Sequence, residues 1–384
     1  MNADFDAIVA GAGSMGAAAS FYLAKAGYKV LAIDKSEHVP HENGSHGGQS
    51  RIIRKAYFED PAYIPLLNRA YQNWKSLETE TGEQVYYPCG LIYKGPVTHP
   101  LIQAVKEAAQ TYHIDLQPVT DPNHLAVFNL ESDDEIFLEP DAGFLLPEKC
   151  IRLFLQQTLK QSARLHTGET LLQWQRAGEL IRVETTKSVY HTRKLIITAG
   201  AWIGELIASL RPILKVTRQL IVWVQPDEPN HYLPHRFPCW LATGDQMAGA
   251  WYGFPYLSGE AFPGPAGMKL ALHLPAQETS PDAVGRMISE TEIRELLEEA
   301  KKYFIPAGFS LAEAKTCLYT STPDDHFIMD HLPGFDGDVV VGSVCSGHGF
   351  KFASAAGEIL AELAMEGQTS SPIEFLRLNR FAQH

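Results

Sequence analysis

The sequence predicts a mixed α/β fold in two parts, one built on a parallel sheet and the other on an antiparallel sheet. Three observations support this prediction. An apolar strand at residues 5–10 leads into the glycine-rich run GAGSMG at 11–16 and then into a helix. A strand at 338–342 is likewise followed by a glycine-containing loop and a helix at about 352–366. Between these ends lie several short β segments of antiparallel character.

The composition is that of an ordinary globular chain with room for two domains. The chain has 384 residues, 45% of them hydrophobic and 20% charged, and a formal net charge of −13. This acidic balance argues against nucleic acid as the main partner, and no stretch approaches the roughly 20 apolar residues that span a bilayer. The five cysteines are odd in number, widely spaced and without a CxxC pair. They favour a reducing cytoplasm over a disulfide framework and predict no metal site.

The glycine-rich run predicts a cradle for a phosphate-bearing ligand. Gly11, Gly13 and Gly16 satisfy GxGxxG between a short apolar strand and a helix. The first glycine allows the tight turn, the second lets a pyrophosphate approach the backbone, and the third lets the helix pack on the sheet. Asp34 ends the next strand, at 29–34, where a carboxylate accepts hydrogen bonds from the ribose of an adenosine. The alternatives are a turn that only packs a helix and an aspartate that only caps a strand.

The segment that follows favours FAD over NAD as the dinucleotide. An NAD domain continues as regular βαβ units, whereas residues 35–51 form a long polar loop with several glycines. Such a loop wraps a larger ligand in an extended pose, although composition alone takes the choice no further. A second glycine-rich loop, at 346–351, precedes the last helix. It directs backbone N–H groups and the positive end of the helix dipole at one spot, which suits the anionic part of a reduced flavin.

The remaining segments predict a cofactor domain that is interrupted twice along the chain. The strand that ends in AGAW at 199–202 indicates another sheet end that faces a ligand. Further helices are predicted at 61–80, 100–113, 148–162 and 289–303, and further strands at 86–95, 180–185, 188–198, 218–224, 249–254 and 269–273, with a loop at 255–267. The predicted α/β (mixed α+β) fold has a Rossmann-like FAD-binding domain at 1–58, 147–216 and 318–384, and a second, antiparallel-sheet substrate domain at 59–146 and 217–317.

Seven motifs, spread over nearly the whole chain, occur together in one enzyme family. They are GAGSMG at 11–16, GSHGGQSRIIRKAY at 44–57, AGAW at 199–202, WYGFP at 251–255, MKLALH at 268–273, CLYTSTPDDHFIMD at 317–330 and SGHGFKFASAAGE at 346–358. The last two are long and specific. With these motifs the chain resembles the monomeric sarcosine oxidase and N-methyltryptophan oxidase family of FAD-dependent amine oxidases.

The resemblance implies the oxidation of a secondary amino acid by FAD. A hydride leaves the carbon beside the nitrogen for the flavin, water hydrolyses the imine, and oxygen reoxidises the flavin with release of hydrogen peroxide. The flavin supplies the difficult chemistry, so the task of the protein is to orient the substrate against the flavin and to polarise the reacting groups. The implied partners are a small amino-acid substrate and molecular oxygen, with no nucleic acid or membrane. The enzyme is expected to be monomeric and cytoplasmic.

Three residues match the family's residues for flavin attachment and substrate binding. Cys317 matches the cysteine that forms a thioether to the 8α carbon of the flavin, and its alternative is a small buried core residue. A thiolate is required there, so a basic neighbour is expected. Arg54 and Lys351 match the residues that hold the substrate carboxylate, because an anion that enters an apolar site requires a paired cation. The alternative for Arg54 is a surface salt bridge.

Four more residues match the family's flavin-facing and pocket-lining positions, and His273 lies close to one of them along the chain. Lys269 matches the lysine near flavin N5 that is linked to oxygen activation, where a cation stabilises developing superoxide; its alternative is a solvated strand residue. His273 lies four residues on and shares the same strand face. Tyr252 and Tyr319 match aromatic residues of the substrate pocket, and Arg51 matches a cation close to the flavin ring.

The predicted site therefore combines the motif residues with their neighbours along the chain. The predicted catalytic residues are Lys269, Arg54, Lys351, His273, Tyr252, Tyr319 and Arg51. The predicted cofactor-binding residues are Gly11, Gly13, Ser14, Met15, Gly16, Asp34, Lys35, Ser45, His46, Ser50, Arg51, Leu171, Ala199, Gly200, Trp202, Cys317, Gly347, Gly349, Phe350 and Lys351.

The chain departs from the family pattern at three places. Gly47 replaces the second histidine of the family's His-His-Gly-Asp-Thr run, Leu318 replaces a methionine, and the loop at 256–267 is longer. Substrate identity is therefore not transferred from the family. The rival interpretations are a flavin dehydrogenase that passes electrons to a partner, an inactive flavoprotein subunit, and, more weakly, a nicotinamide dehydrogenase.

Overall fold

A computed structural model describes residues 2–245, 247, 249–273, 276–304 and 308–381. Its helices are α1 (Ser14–Lys25), α2 (Ile64–Thr81), α3 (Pro100–Tyr112), α4 (Pro122–Leu125), α5 (Pro147–Leu159), α6 (Ile203–Leu206), α7 (Glu290–Ala300) and α8 (Ala353–Glu366). Its strands are β1 (Phe5–Ala10), β2 (Val30–Ile33), β3 (Arg51–Ile53), β4 (Tyr86–Tyr87), β5 (Leu91–Pro96), β6 (Gln117–Pro118), β7 (Asp134–Glu139), β8 (Gly143–Leu145), β9 (Ala163–His166), β10 (Leu171–Ala177), β11 (Leu180–Thr185), β12 (Val189–Ile197), β13 (Lys215–Pro226), β14 (Cys239–Ala242), β15 (Ala250–Leu257), β16 (Gly267–His273), β17 (Phe309–Ser321), β18 (Ile328–His331) and β19 (Val339–Ser343).

The first sheet carries the glycine-rich turn at its centre. Its strand order is β10-β11-β12-β1-β2-β9, and β19 pairs with β12 and β18. The pairs β12·β1, β1·β2, β2·β9 and β12·β19 are parallel, so the carboxyl ends of these strands meet at one edge. The predicted hairpin is confirmed, since β11 and β12 are antiparallel. Apart from one residue, β1 and β2 are fully buried, which is why each is a nearly continuous apolar run.

Helices α1 and α8 pack directly on each other beside this sheet. A Cβ at Gly357 would collide with Ala18, so the close approach requires a glycine on one helix and alanine on the other. The small residues that the sequence places along α1 serve this contact, and nine of its twelve residues are buried. The first-sheet core therefore fixes α1, whose amino end opens on the carboxyl edge of the parallel strands.

The second sheet has eight strands in the order β17-β13-β16-β15-β14-β5-β7-β6. Its pairs are antiparallel except β14·β5, which is parallel. Four strands of this sheet were not predicted from the sequence, namely β6, β7, β14 and the long strand β17, and the predicted end of β15 was too early. Because β15 continues to Leu257 and β16 begins at Gly267, the loop between them is shorter than predicted and spans 258–266. A small third sheet has the order β3-β8-β4.

Several predicted boundaries shift for local reasons. The strand predicted at 86–95 is divided into β4 and β5 by a turn in which Gly90 has a φ of 84°. Helix α2 ends at Gly82, a left-handed C-cap. Helix α7 begins after Ser289, which forms a capping box with Glu292.

Strand membership largely follows the predicted segments. Every strand of the first sheet lies within 1–58, 147–216 or 318–384, and the strands of the second sheet lie within 59–146 and 217–317 except for the ends of β13 and β17. The boundaries at 216 and 317 thus fall inside two strands that pair with each other over their full length. The division into two domains itself stays a prediction. Within the described ranges, none of the helices combines the length and apolar character needed to cross a membrane.

Candidate active site

Two adjoining cavities meet at the carboxyl edge of the first sheet. The cradle cavity lies over the glycine-rich turn, and the inner cavity lies between β3, β15–β17 and the segment that leads into α8. The residues that line both are Ser14, Met15, Ser45, His46, Val344 and Cys345. One extended ligand could therefore pass from the first cavity to the second, as a dinucleotide in an extended pose requires.

The cradle depends on glycine at its first position. Gly11 has a φ of 97°, and a Cβ there would lie 2.5 Å from the carbonyl oxygen of Thr198. Gly13 is the N-cap of α1, and no side chain caps the first turn of this helix. The free N–H groups at that end and the positive end of the helix dipole favour an anion.

Asp34 holds the second side of the cradle. Its Oδ2 accepts the N–H of Ala12 at 2.9 Å, and its Oδ1 accepts the N–H of Ser36 at 2.9 Å. Each carboxylate oxygen retains a further lone pair, so Asp34 can cap the strand end and still accept a hydrogen bond from a ribose. The ribose contact itself stays a prediction. Lys35 lies 3.8 Å from the ring centroid of Trp202, and both donate to Asp282, at 2.9 and 2.7 Å.

These residues fit an FAD. Among the described residues the buried Nε2 of His46 and Nδ1 of His41 have no hydrogen-bond partner, and both side chains line the cradle cavity. Burial, followed by the charges of His41 and Arg51, lowers the pKa of His46 to about 3. A neutral histidine with a free ring nitrogen, beside unsatisfied N–H groups of α1, is a polar surface that a phosphate-bearing ligand completes.

The inner cavity contains a buried ion pair between Arg54 and Glu59. Nη2 of Arg54 donates to both carboxylate oxygens at 2.6 Å, and Nη1 donates to the carbonyl of Ala56 at 2.8 Å. Burial by itself raises the pKa of Glu59, but the arginine outweighs burial and holds that pKa at about 2. Arg54 also lies over the Phe58 ring, 4.0 Å from its centroid. The predicted alternative of a surface salt bridge is therefore wrong, because the guanidinium is buried in the cavity wall.

Lys351 is a second buried cation in this wall. It lies in the 3-10 turn Phe350–Phe352 before α8, and its Nζ donates to the carbonyl of His348 at 2.7 Å. Burial and the charge of Arg54 lower its pKa from 10.5 to about 7, although Glu59 opposes them. Nδ1 of His348 forms a hydrogen bond of 2.5 Å with the hydroxyl of Tyr57. Burial lowers the pKa of His348 to about 3.

Lys269 lies behind the cavity wall rather than in it. Its Nζ donates to the carbonyls of Gly48, at 2.7 Å, and Ser50, and lies 4.1 Å from the ring centroid of Phe254. Only 1% of the residue is exposed, so the alternative of a solvated strand residue is wrong. Burial, then the charge of Arg51, lowers its pKa well below 10.5. Its position is that of a buried cation held by backbone oxygens.

Cys317 lines the inner cavity beside a cation. Nη2 of Arg51 lies 3.7 Å from Sγ, and Sγ lies 3.6 Å from the carbonyl oxygen of Ser45. The expected basic neighbour of the thiol is thus present. Arg51 also donates to the carbonyls of Ser45 and Gly47, at 2.8 and 2.6 Å, and so fixes the loop that separates it from the cradle.

The remaining wall combines aromatic and aliphatic side chains with one histidine. His273 Nδ1 lies 3.4 Å from the hydroxyl of Tyr319, and burial lowers the pKa of His273 below its usual value. Tyr252 lies on the neighbouring strand. The apolar lining is completed by Ile52, Phe58, Ile221, Leu241 and Phe254. A small amphipathic molecule would find charge at one end of this cavity and apolar side chains at the other.

Most of the predicted site residues line one of the two cavities. The predicted residues that line neither are Gly16, Ser50 and Lys269, which support the walls from behind. The lining residues that were not predicted from the sequence include His41, Phe58, Glu59, Thr198, Asp282 and His348. A signal for Glu59 existed, because it follows the motif that ends at Tyr57 by two residues. The replacement Gly47 also has a local reason, since a Cβ there would lie 3.1 Å from the carbonyl oxygen of Glu42.

A parallel-sheet cradle that opens on a cation-lined cavity is typical of flavin-dependent oxidoreductases. The family model "DAO: FAD dependent oxidoreductase" matches residues 6–363. The chain therefore belongs to this family of FAD-dependent enzymes.

Relatives and solved structures agree with this assignment. The monomeric sarcosine oxidase of Arthrobacter sp. (strain TE1826) is 34% identical, covering 98% of this chain and 96% of the relative. The N-methyl-L-tryptophan oxidase of Yersinia pestis (strain Pestoides F) is 33% identical, covering 98% and 100%. Among solved structures, NikD, an amino acid oxidase of nikkomycin biosynthesis, has a TM-score of 0.82 at 21% identity and covers 97% of each chain. The L-proline dehydrogenase from P. horikoshii also has a TM-score of 0.82, at 20% identity, covering 100% and 99%. The two structures establish the fold.

Proposed function

We propose that this enzyme oxidises N-methyl or other secondary amino acids, with FAD as the electron acceptor and oxygen as the final oxidant, which leaves as hydrogen peroxide. One observation carries the proposal: two buried cations, Arg54 and Lys351, face the cavity that also contains Cys317 and that continues into the dinucleotide cradle. The relatives named for sarcosine and N-methyl-L-tryptophan support the substrate class.

The two cations provide the binding energy for a substrate carboxylate. Each is buried, so a carboxylate that leaves water for this cavity gains a charge-assisted hydrogen bond in place of its hydration. Nη2 of Arg54 donates to both oxygens of Glu59, and Nη1 donates to the carbonyl of Ala56. A substrate carboxylate takes part of that coordination, and Lys351 provides the second contact. Because carboxylate and cations fix one end of the substrate, the amine and its α carbon are oriented towards the Cys317 side.

The residues that would hold FAD run through both cavities. Gly11, Gly13 and Asp34 would hold the pyrophosphate and ribose, and Cys317 would carry the covalent thioether. When bound, the flavin accepts the hydride from the α carbon and passes the electrons to oxygen. Arg51 lines the inner cavity beside Cys317, where its positive charge would offset the charge of the reduced flavin.

The chain also controls protons and water at the reacting carbon. His273 and His348 are neutral at physiological pH because burial lowers the pKa of each. The apolar wall of Leu241 and Phe254 excludes bulk water, which strengthens the electrostatic contacts inside. Lys269 keeps a cation at fixed backbone oxygens close to the flavin side, and we assign to it the activation of oxygen.

Two experiments test the proposal. A peroxide-coupled screen of N-methyl amino acids should identify a substrate. Lys269→Met should then slow the reaction of reduced flavin with oxygen far more than the reduction of flavin by substrate, because only the first reaction builds up negative charge on oxygen. Lys187→Met is the control, since Lys187 also donates to a backbone carbonyl, that of Thr167, but is exposed, whereas Lys269 is buried against the turn behind the inner cavity. Equal slowing of both half-reactions by Lys269→Met would contradict the role.

The same measurement decides between an oxidase and a dehydrogenase. An oxidase reoxidises much faster with oxygen than with an artificial electron acceptor at equal concentration. If the wild-type reduced flavin reacts readily with the artificial acceptor and hardly with oxygen, the enzyme passes its electrons to a partner. A preparation that binds FAD but is reduced by no amine would instead support an inactive flavoprotein subunit.

A further inference from the structure

Glu148 contacts the loop between the two cavities, although it lies about a hundred residues further along the chain. It lies in the first turn of α5, and its Oε1 accepts the N–H groups of Gly48 at 3.0 Å and Gln49 at 3.1 Å. The two partners lie 100 and 99 residues earlier in the chain. Two successive backbone donors on one carboxylate oxygen form an anion-binding turn whose anion is supplied by the protein itself.

The carbonyl groups of the same turn face the buried cations. Lys269 donates to the carbonyls of Gly48 and Ser50, and Arg51 donates to that of Ser50 at 2.8 Å. The turn thus has its N–H groups on Glu148 and its oxygens on Lys269 and Arg51. The negative charge of Glu148 therefore lies on the N–H side of the turn at 48–50, and the positive charges of Lys269 and Arg51 lie on its carbonyl side.

The backbone of this turn requires such support. Gly48 has a φ of 102° and Gln49 a φ of 69°, a left-handed conformation that is unfavourable for a residue with a side chain. The Gln49 amide stabilises it by donating to the carbonyls of Phe262 and Pro265, at 3.2 and 3.1 Å. It also accepts Nε1 of Trp223 at 2.8 Å. The turn is therefore held from the loop at 258–266, from β13 and from Glu148 together.

We propose that Glu148 is a positioning residue for Lys269: it fixes the turn at 48–50 so that two carbonyl oxygens hold the lysine ammonium, and its negative charge favours the protonated form of that lysine. This inference rests on the proposed function of Lys269 in oxygen activation.

The charges around Lys269 give the expected direction of the effect. The groups that face it are Arg51 on β3, Glu148 on α5, Cys239 on β14 and Cys317 on β17. Burial and Arg51 lower the pKa of Lys269, whereas Glu148 raises it. The protonated lysine is lost as the pH rises through this lowered pKa. Without the Glu148 charge the pKa falls further, so the loss begins at a lower pH.

Three variants test the inference. Glu148→Gln keeps an acceptor oxygen for both N–H groups and removes only the charge, whereas Glu148→Asp keeps the charge. Glu78→Gln is a matched control, because Oε1 of Glu78 likewise accepts two successive N–H groups, of Val85 and Tyr86, each at 2.8 Å. Glu78 lines neither cavity. Each protein is photoreduced without substrate and mixed with oxygen over a range of pH.

We expect the alkaline fall in the oxygen rate constant to shift to lower pH by about one pH unit in Glu148→Gln, the effect of one nearby charge. Glu148→Asp should restore the wild-type profile and Glu78→Gln should not change it. A second readout is independent of turnover: the flavin midpoint potential of Glu148→Gln should be more positive at acid pH, because a negative charge has been removed from the turn behind the inner cavity, which would hold the flavin.

The outcomes separate the two claims. If Lys269→Met reacts with oxygen as fast as the wild type, the proposed role of Lys269 fails, whatever Glu148 does. If Lys269→Met is slow but Glu148→Gln has the wild-type pH profile and potential, the inference about Glu148 is overturned. An equal shift in Glu78→Gln would also overturn it, since the effect would then be one of overall charge.

Discussion

The lowered pKa of Lys351 makes a quantitative prediction about pH and carboxylate binding. In the ligand-free protein burial and Arg54 hold this pKa at about 7, against 10.5 for an ordinary lysine. Protonated Lys351 therefore makes up about half of the protein at pH 7 and about a tenth at pH 8. A carboxylate binds the protonated form, so its apparent dissociation constant should rise about tenfold for each pH unit above 7.

The described groups around Lys351 keep their charge while Lys351 titrates. Glu59 has a pKa of about 2 and remains charged, while His348 has a pKa of about 3 and remains neutral. Arg54 remains charged because Glu59 overcomes the effect of burial on its pKa. Lys351 is the described group at the carboxylate end of the cavity whose charge changes near neutral pH.

The assay is a titration of the flavin absorbance with a carboxylate that carries no amine, such as acetate, at several pH values. An amine-free ligand avoids the titration of the substrate nitrogen. In Lys351→Met the pH dependence should disappear, and binding below pH 7 should weaken by about tenfold to a hundredfold, the loss of one charged hydrogen bond. A wild-type dissociation constant that is constant across this range would refute the reasoning. An unchanged slope in Lys351→Met would refute it as well.

Two further changes have expected outcomes. Cys317→Ser should release its flavin into the supernatant after acid precipitation. The control is Cys345→Ser, at a neighbouring position in the same cavity, which should retain yellow colour in the pellet. Flavin in the wild-type supernatant would contradict the thioether. Gly11→Ala should weaken FAD binding by the apoprotein, because its Cβ would lie 2.5 Å from the Thr198 oxygen, whereas Gly259→Ala has similar backbone strain at a φ of 80° but no atom within 4 Å. Equal FAD affinity of these two variants, measured by fluorescence quenching, would contradict the cradle.

The sequence predicted those parts of the fold that local pattern determines. The strand, glycine turn and helix at 5–25 form as expected because apolar run, glycine spacing and helix length all agree there. Strand β17 was missed because the first half of its thirteen residues is largely exposed and lacks an apolar face. Its structure depends on pairing with β13, about a hundred residues earlier.

The candidate site shows the same distinction between local and long-range information. Motif residues such as Arg54 and Lys351 were predictable because each lies in a recognisable stretch. The pairing of Arg54 with Glu59 was not predictable, because the sequence does not show which of several nearby carboxylates an arginine binds. The contact of Glu148 with the turn at 48–50 was also invisible, because it joins residues about a hundred positions apart and depends on where α5 begins.

The central claim, that an FAD in these cavities oxidises a secondary amino acid, is tested most directly by one anaerobic experiment. The purified protein is mixed with an N-methyl amino acid identified in the peroxide screen, and its flavin absorbance is followed before and after oxygen is admitted. The account predicts that the absorbance near the flavin maximum bleaches without oxygen and returns with it, with one hydrogen peroxide per cycle. A colourless protein that does not take up FAD, or a bound flavin that no secondary amino acid bleaches, would contradict it.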